Sequence, residues 1–146
     1  MVRFALFVAL LCAVTIYAWR RGGWPEKASA SALAAQVVID QAYHLLIGTR
    51  GGDFTDVHMW HFMLDIVLFA AVLFIALRAD RFWPLWLGGT MIIMLSAHAL
   101  RGMAEMHPDI YAVINRYPFW MAILVVGVGT ALQDQRARKA AIEPNS

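Results

Sequence analysis

Five long apolar stretches, separated by short polar connections, constrain the fold of this chain more than any other feature. Each stretch has about the 20 residues that a helix needs to cross a bilayer. Backbone polar groups inside a bilayer must be satisfied within their own segment, and this requirement selects helices. The sequence therefore predicts an all-α, polytopic transmembrane helical bundle with five spans, at residues 3–19, 29–47, 57–77, 83–104 and 110–132.

The composition agrees with a membrane protein and excludes several other classes. Charged residues make up 15% of the chain, against roughly 25% in soluble domains. Basic residues form no stripe outside the short carboxyl-terminal tail, so nucleic acid is not an expected partner. Cys12 is the single cysteine, which excludes a disulfide framework or a cysteine-based zinc site within one chain.

The first apolar stretch has the outline of a signal peptide, with Arg3 ahead of a hydrophobic run. Its end is a poor cleavage site, because the small residue Ala18 lies between the bulky residues Ile16 and Trp19. We therefore interpret this stretch as a retained first span.

The distribution of basic residues predicts how the chain lies in the membrane. The second stretch is marginal as a span, because it carries Gln36, Asp40 and His44. With five spans, eight Lys and Arg residues fall on one side and four on the other, whereas omitting the second span gives six and six. The positive-inside rule then favours five spans in a bacterial-type inner membrane, with the amino terminus outside and the polar tail, residues 133–146, in the cytoplasm.

A weak internal similarity suggests two related helical hairpins followed by one helix. The segments AWRRGGWPE (18–26) and ALRADRFWPL (76–85) both place basic residues before Trp-Pro and a new helix. Proline suits the first turn of a helix, and tryptophan suits the membrane interface. Any helix that re-enters a membrane from the cytoplasm favours the same residues at its start. The similarity is therefore also compatible with an origin without duplication.

Polar side chains collect at the outer ends of the second, third and fourth predicted spans. Residues three or four apart are neighbours on a helix surface, so each set forms one polar face. Polar groups in hydrocarbon are costly, so we expect the three faces to turn toward one another. The members are Gln36, Asp40 and His44 on the second span, His58, His61 and Asp65 on the third, and His98, Arg101 and Glu105 on the fourth.

Two interpretations of this cluster need no bound metal. In the first, it is a packing network in which Arg101 pairs with Asp65 or Glu105 and holds the helices together. In the second, Arg101 and the histidines hold the head group of an anionic or quinone-like ligand at the outer surface.

Two further interpretations assign the cluster to a cofactor or to ions. Haem b needs two imidazoles from different helices at one depth, and His44 with His61 or His98 meets that requirement. A divalent metal is an alternative cofactor, with His58, His61 and Asp65 as its ligands. Proton or cation handling would use the groups beside them as relay or supporting residues, namely Asp40, Asp65, Gln36 and Glu105.

The leading functional hypothesis from sequence is a small integral membrane accessory or structural subunit. Its expected partners are the lipid bilayer and other membrane protein chains or further copies of itself. The alternatives are a haem b- or metal-binding membrane protein, linked to electron transfer or quinone, and a proton- or divalent-cation-translocating unit. An enzyme is disfavoured, because the sequence contains no HExxH, GxSxG or glycine-rich phosphate motif.

Overall fold

A computed structural model describes residues 2–47, 59–103 and 108–142. Within these ranges the chain is all-helical and has no strand, which confirms the predicted fold class at this level. The five helices are α1 (Val2–Arg21), α2 (Trp24–Ile47), α3 (Met59–Arg78), α4 (Trp83–Met103) and α5 (Pro108–Ile142).

The helix boundaries follow the local sequence signals. Both α2 and α4 begin at a Trp-Pro pair, where the missing N–H of proline is not needed by the helix. Gly22 and Gly23 separate α1 from α2, and a Cβ on Gly22 would lie 2.5 Å from the Ala18 carbonyl oxygen. The helix α5 includes Pro118 and continues to Ile142, so the predicted polar tail begins as helix.

Three helical segments are long and apolar enough to cross a membrane, namely Val2–Arg21, Met59–Arg78 and Trp83–Leu100. Much of their apolar surface faces away from the bundle. For example, Leu77 is 76% exposed and Trp86 is 65% exposed. A continuous exposed apolar surface is typical of a protein that meets lipid rather than water.

The helices form a closed ring in which each helix packs against its neighbours in the sequence and α5 returns to α1. Contacts between α2 and α5 cross the middle of the ring. The core is apolar, and its largest buried side chains include Leu33, Leu87, Met91 and Ile123. Successive helices run in opposite directions, so polar residues from distant parts of the sequence meet at two ends.

At one end, a buried carboxylate joins the starts of α2 and α4. Glu26 is 1% exposed and accepts hydrogen bonds from the backbone N–H of Gly23, at 2.9 Å, and from Nε1 of Trp83, at 3.1 Å. An acidic side chain in the first turn of a helix is also favoured by the helix dipole. We call this the basic end, because it carries Arg20, Arg21, Lys27, Arg78, Arg81, Arg136, Arg138 and Lys139.

The ring of Trp83 packs directly on Gly129 of α5. A Cβ at Gly129 would lie 2.6 Å from Cδ2 of Trp83, closer than any carbon contact allows, whereas no heavy atom lies within 4 Å of a Cβ at Gly89. The lack of a side chain at Gly129 therefore lets α4 and α5 approach each other.

We expect Gly129→Ala to lower the free energy of unfolding by about 1–3 kcal/mol, because overpacking forces the helices apart. The measurement is unfolding in a dodecyl sulfate titration, followed by circular dichroism. Gly89→Ala is the matched control, because it makes the same change of helix propensity without the steric clash, and it should leave stability unchanged or raise it by up to about 1 kcal/mol. Equal effects of the two substitutions would contradict the close α4–α5 contact.

A second carboxylate at the basic end joins α1 to α5. Asp134 accepts a hydrogen bond from Nη2 of Arg138 at 2.8 Å, and Nη1 of Arg21 lies 3.9 Å from its other oxygen. The hydroxyl of Tyr17 lies 3.5 Å away, at the outer limit of a hydrogen bond. The bond from Arg138 is the main reason that the pKa of Asp134 lies below its ordinary value.

This lowered pKa predicts a pH-dependent stability contribution. Because the folded pKa is below the unfolded one, the contribution is complete above the ordinary aspartate pKa, near about 4, and is lost as the pH falls through the lower folded value. We expect Asp134→Asn to be less stable than the natural protein at neutral pH, and the difference to disappear in acid. Unfolding temperatures of both proteins across the acid range test this, and a pH-independent difference would contradict it.

Candidate functional site

The other end of the bundle, which we call the histidine end, brings together the polar faces of α2, α3 and α4. His44 lies in the last turn of α2, and His61 lies in the first turn of α3. On α2, Asp40 lies one turn before His44, and on α3, Asp65 lies one turn after His61. The antiparallel packing of α2 against α3 then sets these two faces opposite each other.

The outer layer of this site consists of Asp40, His44 and His61. The Nε2 atoms of His44 and His61 lie 3.1 Å apart. Oδ1 of Asp40 lies 3.0 Å from Nε2 of His61 and 3.8 Å from Nε2 of His44. Three atoms of the types that bind metals thus converge, with all of them within 4.8 Å of one another. We call this set the ligand triad.

The dimensions of the ligand triad match those of a metal coordination sphere. A point equidistant from its three atoms lies about 2 Å from each, which is the usual Zn–N and Zn–O distance. Ligands of a tetrahedral zinc ion lie about 3.3 Å apart, close to the mean of the three separations. These distances are compatible with one metal ion bound to all three atoms, with a fourth coordination position left for another ligand.

The state of the Asp40 carboxylate also favours a cation. Its Oδ1 atom is shielded from solvent, and no well-directed hydrogen bond from the described residues reaches it. Among the described residues it lies 3.0 Å from Nε2 of His61, close enough for an ion pair or a hydrogen bond. A partly buried carboxylate needs a positively charged or hydrogen-bonding partner, and a metal ion at the ligand triad would supply one.

Aromatic side chains flank the ligand triad on the same two helices. Tyr43 and Trp60 stack with their ring centroids 4.4 Å apart and an interplanar angle of 13°. Tyr43 also meets the ring of His44 edge-on, at 5.7 Å. These contacts restrict the residues next to both imidazoles, and so hold the ligating nitrogens in place.

An inner layer lies one helical turn closer to the middle of the bundle. Nε2 of Gln36 donates to Oδ1 of Asp65 at 2.6 Å, and Nε2 of His98 is hydrogen-bonded to Oδ2 of Asp65 at 2.9 Å. The side chains of His98 and Asp65 are only 1% and 8% exposed. These three residues, which we call the inner triad, connect α2, α3 and α4, and both Asp65 oxygens have partners.

The two layers divide the residues that the sequence analysis selected. Six of them lie in the two triads, and Asp40, expected in a supporting role, contacts both histidines of the ligand triad. His58 and Glu105 lie outside the described residues, as does the side chain of Arg101. The helical spacing of Gln36, Asp40 and His44 identified the correct face of α2, but it gave no signal for their partners on α3.

The histidine separations bear on the haem hypothesis. Two axial ligands on opposite sides of one iron are about 4 Å apart, twice a metal–nitrogen bond, with the macrocycle between them. The Nε2 atoms of His44 and His61 are 3.1 Å apart, and His98 is bonded to Asp65. The geometry therefore favours adjacent ligands of one small ion over axial ligands of a haem.

Comparison of the chain with protein-family models, with curated proteins and with solved structures finds no match. What this chain binds is therefore inferred from its own residues.

The inner triad predicts a measurable energetic coupling between α3 and α4. We expect His98→Leu and Asp65→Leu each to lower the free energy of unfolding. The double variant should lower it by less than the sum of the two single effects. The coupling should be about 0.6–1.7 kcal/mol, from the average to the largest value measured for hydrogen bonds between membrane helices. A double-mutant cycle of unfolding free energies in detergent measures it, and strictly additive effects would contradict the bond.

Proposed function

We propose that this protein is a five-span protein of the bacterial-type inner membrane that binds one divalent transition-metal ion through Asp40, His44 and His61. The observation that carries the proposal is the mutual distance of the three ligating atoms, which places a common point about 2 Å from each. The amino terminus lies outside and the carboxyl terminus lies in the cytoplasm. The lipid bilayer is its surrounding partner.

Helix lengths and charges support five spans. At 1.5 Å per residue, the 24 residues of α2 extend about 36 Å and the 35 residues of α5 about 52 Å, more than the roughly 30 Å of hydrocarbon. Both helices are also members of the closed ring that contains the three apolar helices. The basic end, with its eight Lys and Arg residues, then faces the cytoplasm as the positive-inside rule requires.

The ligand types indicate the class of metal. Imidazole ligands suit zinc, copper, iron and nickel, whereas magnesium and calcium prefer all-oxygen sites. Zinc accepts tetrahedral sets of imidazole and carboxylate, which fits the spacing of the ligand triad. Three protein ligands leave one position for water or for a ligand from another molecule.

The metal ion would join α2 to α3 at their connected ends. A site whose ligands come from two helices adds its binding free energy to the folded state. Nearly all the described residues belong to the helices, so the proposed metal site lies between helices. The proposed role is that of a small accessory membrane protein, with the metal ion as its ligand.

A purely structural role is the second candidate, and the inner triad favours it. Gln36, Asp65 and His98 satisfy one another and connect three helices. In that case, the outer layer would extend the same network and hold no metal ion.

Metal binding by the detergent-purified full chain separates these functions. We expect one Zn²⁺ per chain by elemental analysis after equilibrium dialysis, and one Co²⁺ with the intense visible absorption of a tetrahedral complex. Asp40→Asn and His61→Ala should each weaken binding by at least about 100-fold, because loss of one of three ligands leaves the charge and geometry incomplete.

Asp80→Asn is the matched control, since Asp80 is an exposed carboxylate at the basic end. It should bind zinc as the natural protein does. If the natural protein binds neither ion while remaining folded, the metal proposal fails and the structural role remains.

A further inference from the structure

We infer that the metal ion in the ligand triad exchanges only with the compartment at the histidine end of the bundle. This inference rests on the proposed metal binding. In the proposed orientation, that compartment is the outer one, so the protein captures metal ions from outside the cytoplasm and does not conduct them inward.

The ligand triad lies at the histidine end of the described helices. His44 lies in the last turn of α2 and His61 in the first turn of α3, so among the described residues a metal ion reaches them from that end without crossing the bundle. The side chains of Asp40, His44 and His61 are 24%, 25% and 28% exposed. A hydrated ion can therefore exchange its waters for these ligands at the end of the bundle.

The inner triad closes the site on its other side. Both carboxylate oxygens of Asp65 are already bonded, to Gln36 and to His98. An ion that moved inward would have to break at least one of these bonds inside a buried layer. The inner triad therefore separates the ligand triad from the middle of the bundle.

Between the inner triad and the basic end, the buried side chains of the described residues offer an ion no carboxylate and no imidazole. The buried polar groups there are the hydroxyls of Ser29 and Thr130. On α3, the buried positions after Asp65 are Leu68, Val72 and Ile75, ten residues that extend about 15 Å. The facing helices contribute Leu33, Leu87, Met91, Met94, Ile123 and Val126. Removing a divalent ion from water into such a layer carries a very large desolvation cost.

The test saturates the full chain with radioactive Zn²⁺ in detergent, removes unbound zinc, and reconstitutes the chain into sealed vesicles in both orientations. Cys12→Ser combined with Ser146→Cys gives a carboxyl-terminal label, and an impermeant maleimide then identifies and separates the vesicles in which the basic end faces outward. An impermeant chelator is added, and protein-bound zinc that remains is counted. In separate vesicles prepared without zinc, an internal zinc-sensitive dye reports any passage of added zinc through the protein, with Asp40→Asn as the control.

We expect the chelator to remove zinc from vesicles with the histidine end outward, and to leave it bound where the basic end faces outward until detergent is added. Retention in both populations, loss from both, or loss only with the basic end outward overturns the inference. Zinc uptake into the vesicles that Asp40→Asn abolishes overturns it as well. Failure of zinc binding in detergent would instead refute the proposed function, so the two failures are distinguishable.

Discussion

A carboxylate inside an apolar bundle has to find hydrogen-bond partners, and the packing of α2, α3 and α4 depends on how Asp65 finds them. Asp65 is almost fully buried, and it is bonded to Gln36 on one side and to His98 on the other. A single residue thereby sets the rotation of three helices about their own axes. The same packing positions the ligand triad, since Asp40 and His61 each lie one turn from a member of the inner triad.

The two ends of the bundle use polar residues in different ways. At the basic end, Glu26 and Asp134 accept directed hydrogen bonds, and Trp83 fills the space that Gly129 leaves. These contacts join helix ends and leave the basic side chains at the surface. At the histidine end, directed hydrogen bonds also join the inner triad, but the three atoms of the ligand triad surround a common point about 2 Å from each. Directed hydrogen bonds are typical of packing, and the second arrangement is the one from which metal binding is proposed.

Partial burial suits the proposed metal site. A fully buried ligand set would have to exclude water from the ion and from its entry path, at a high desolvation cost. A fully exposed set would lose the restriction that packing places on the ligands. The ligand triad lies between these limits, since its side chains are partly exposed and Tyr43 and Trp60 stack beside it.

Local sequence signals account for the helices and for the polar faces on them. Apolar runs of spanning length and Trp-Pro pairs at helix starts are local signals, because hydrogen bonding within a helix depends on neighbouring residues. The all-helical fold predicted from them is confirmed, whereas the five-span arrangement stays a prediction. Helical spacing also placed Gln36, Asp40 and His44 on one face before any contact was known.

Which polar residues meet across helices depends on the packing of the whole bundle. Spacing along α2 relates Asp40 to His44, but it carries no information on the rotation and depth of α3, which place His61 3.0 Å from Asp40. Asp65 had several possible partners by sequence, and packing gave it Gln36 and His98. Pairing between helices depends on how their side chains fill the shared core, and residues far apart in the sequence determine that packing together.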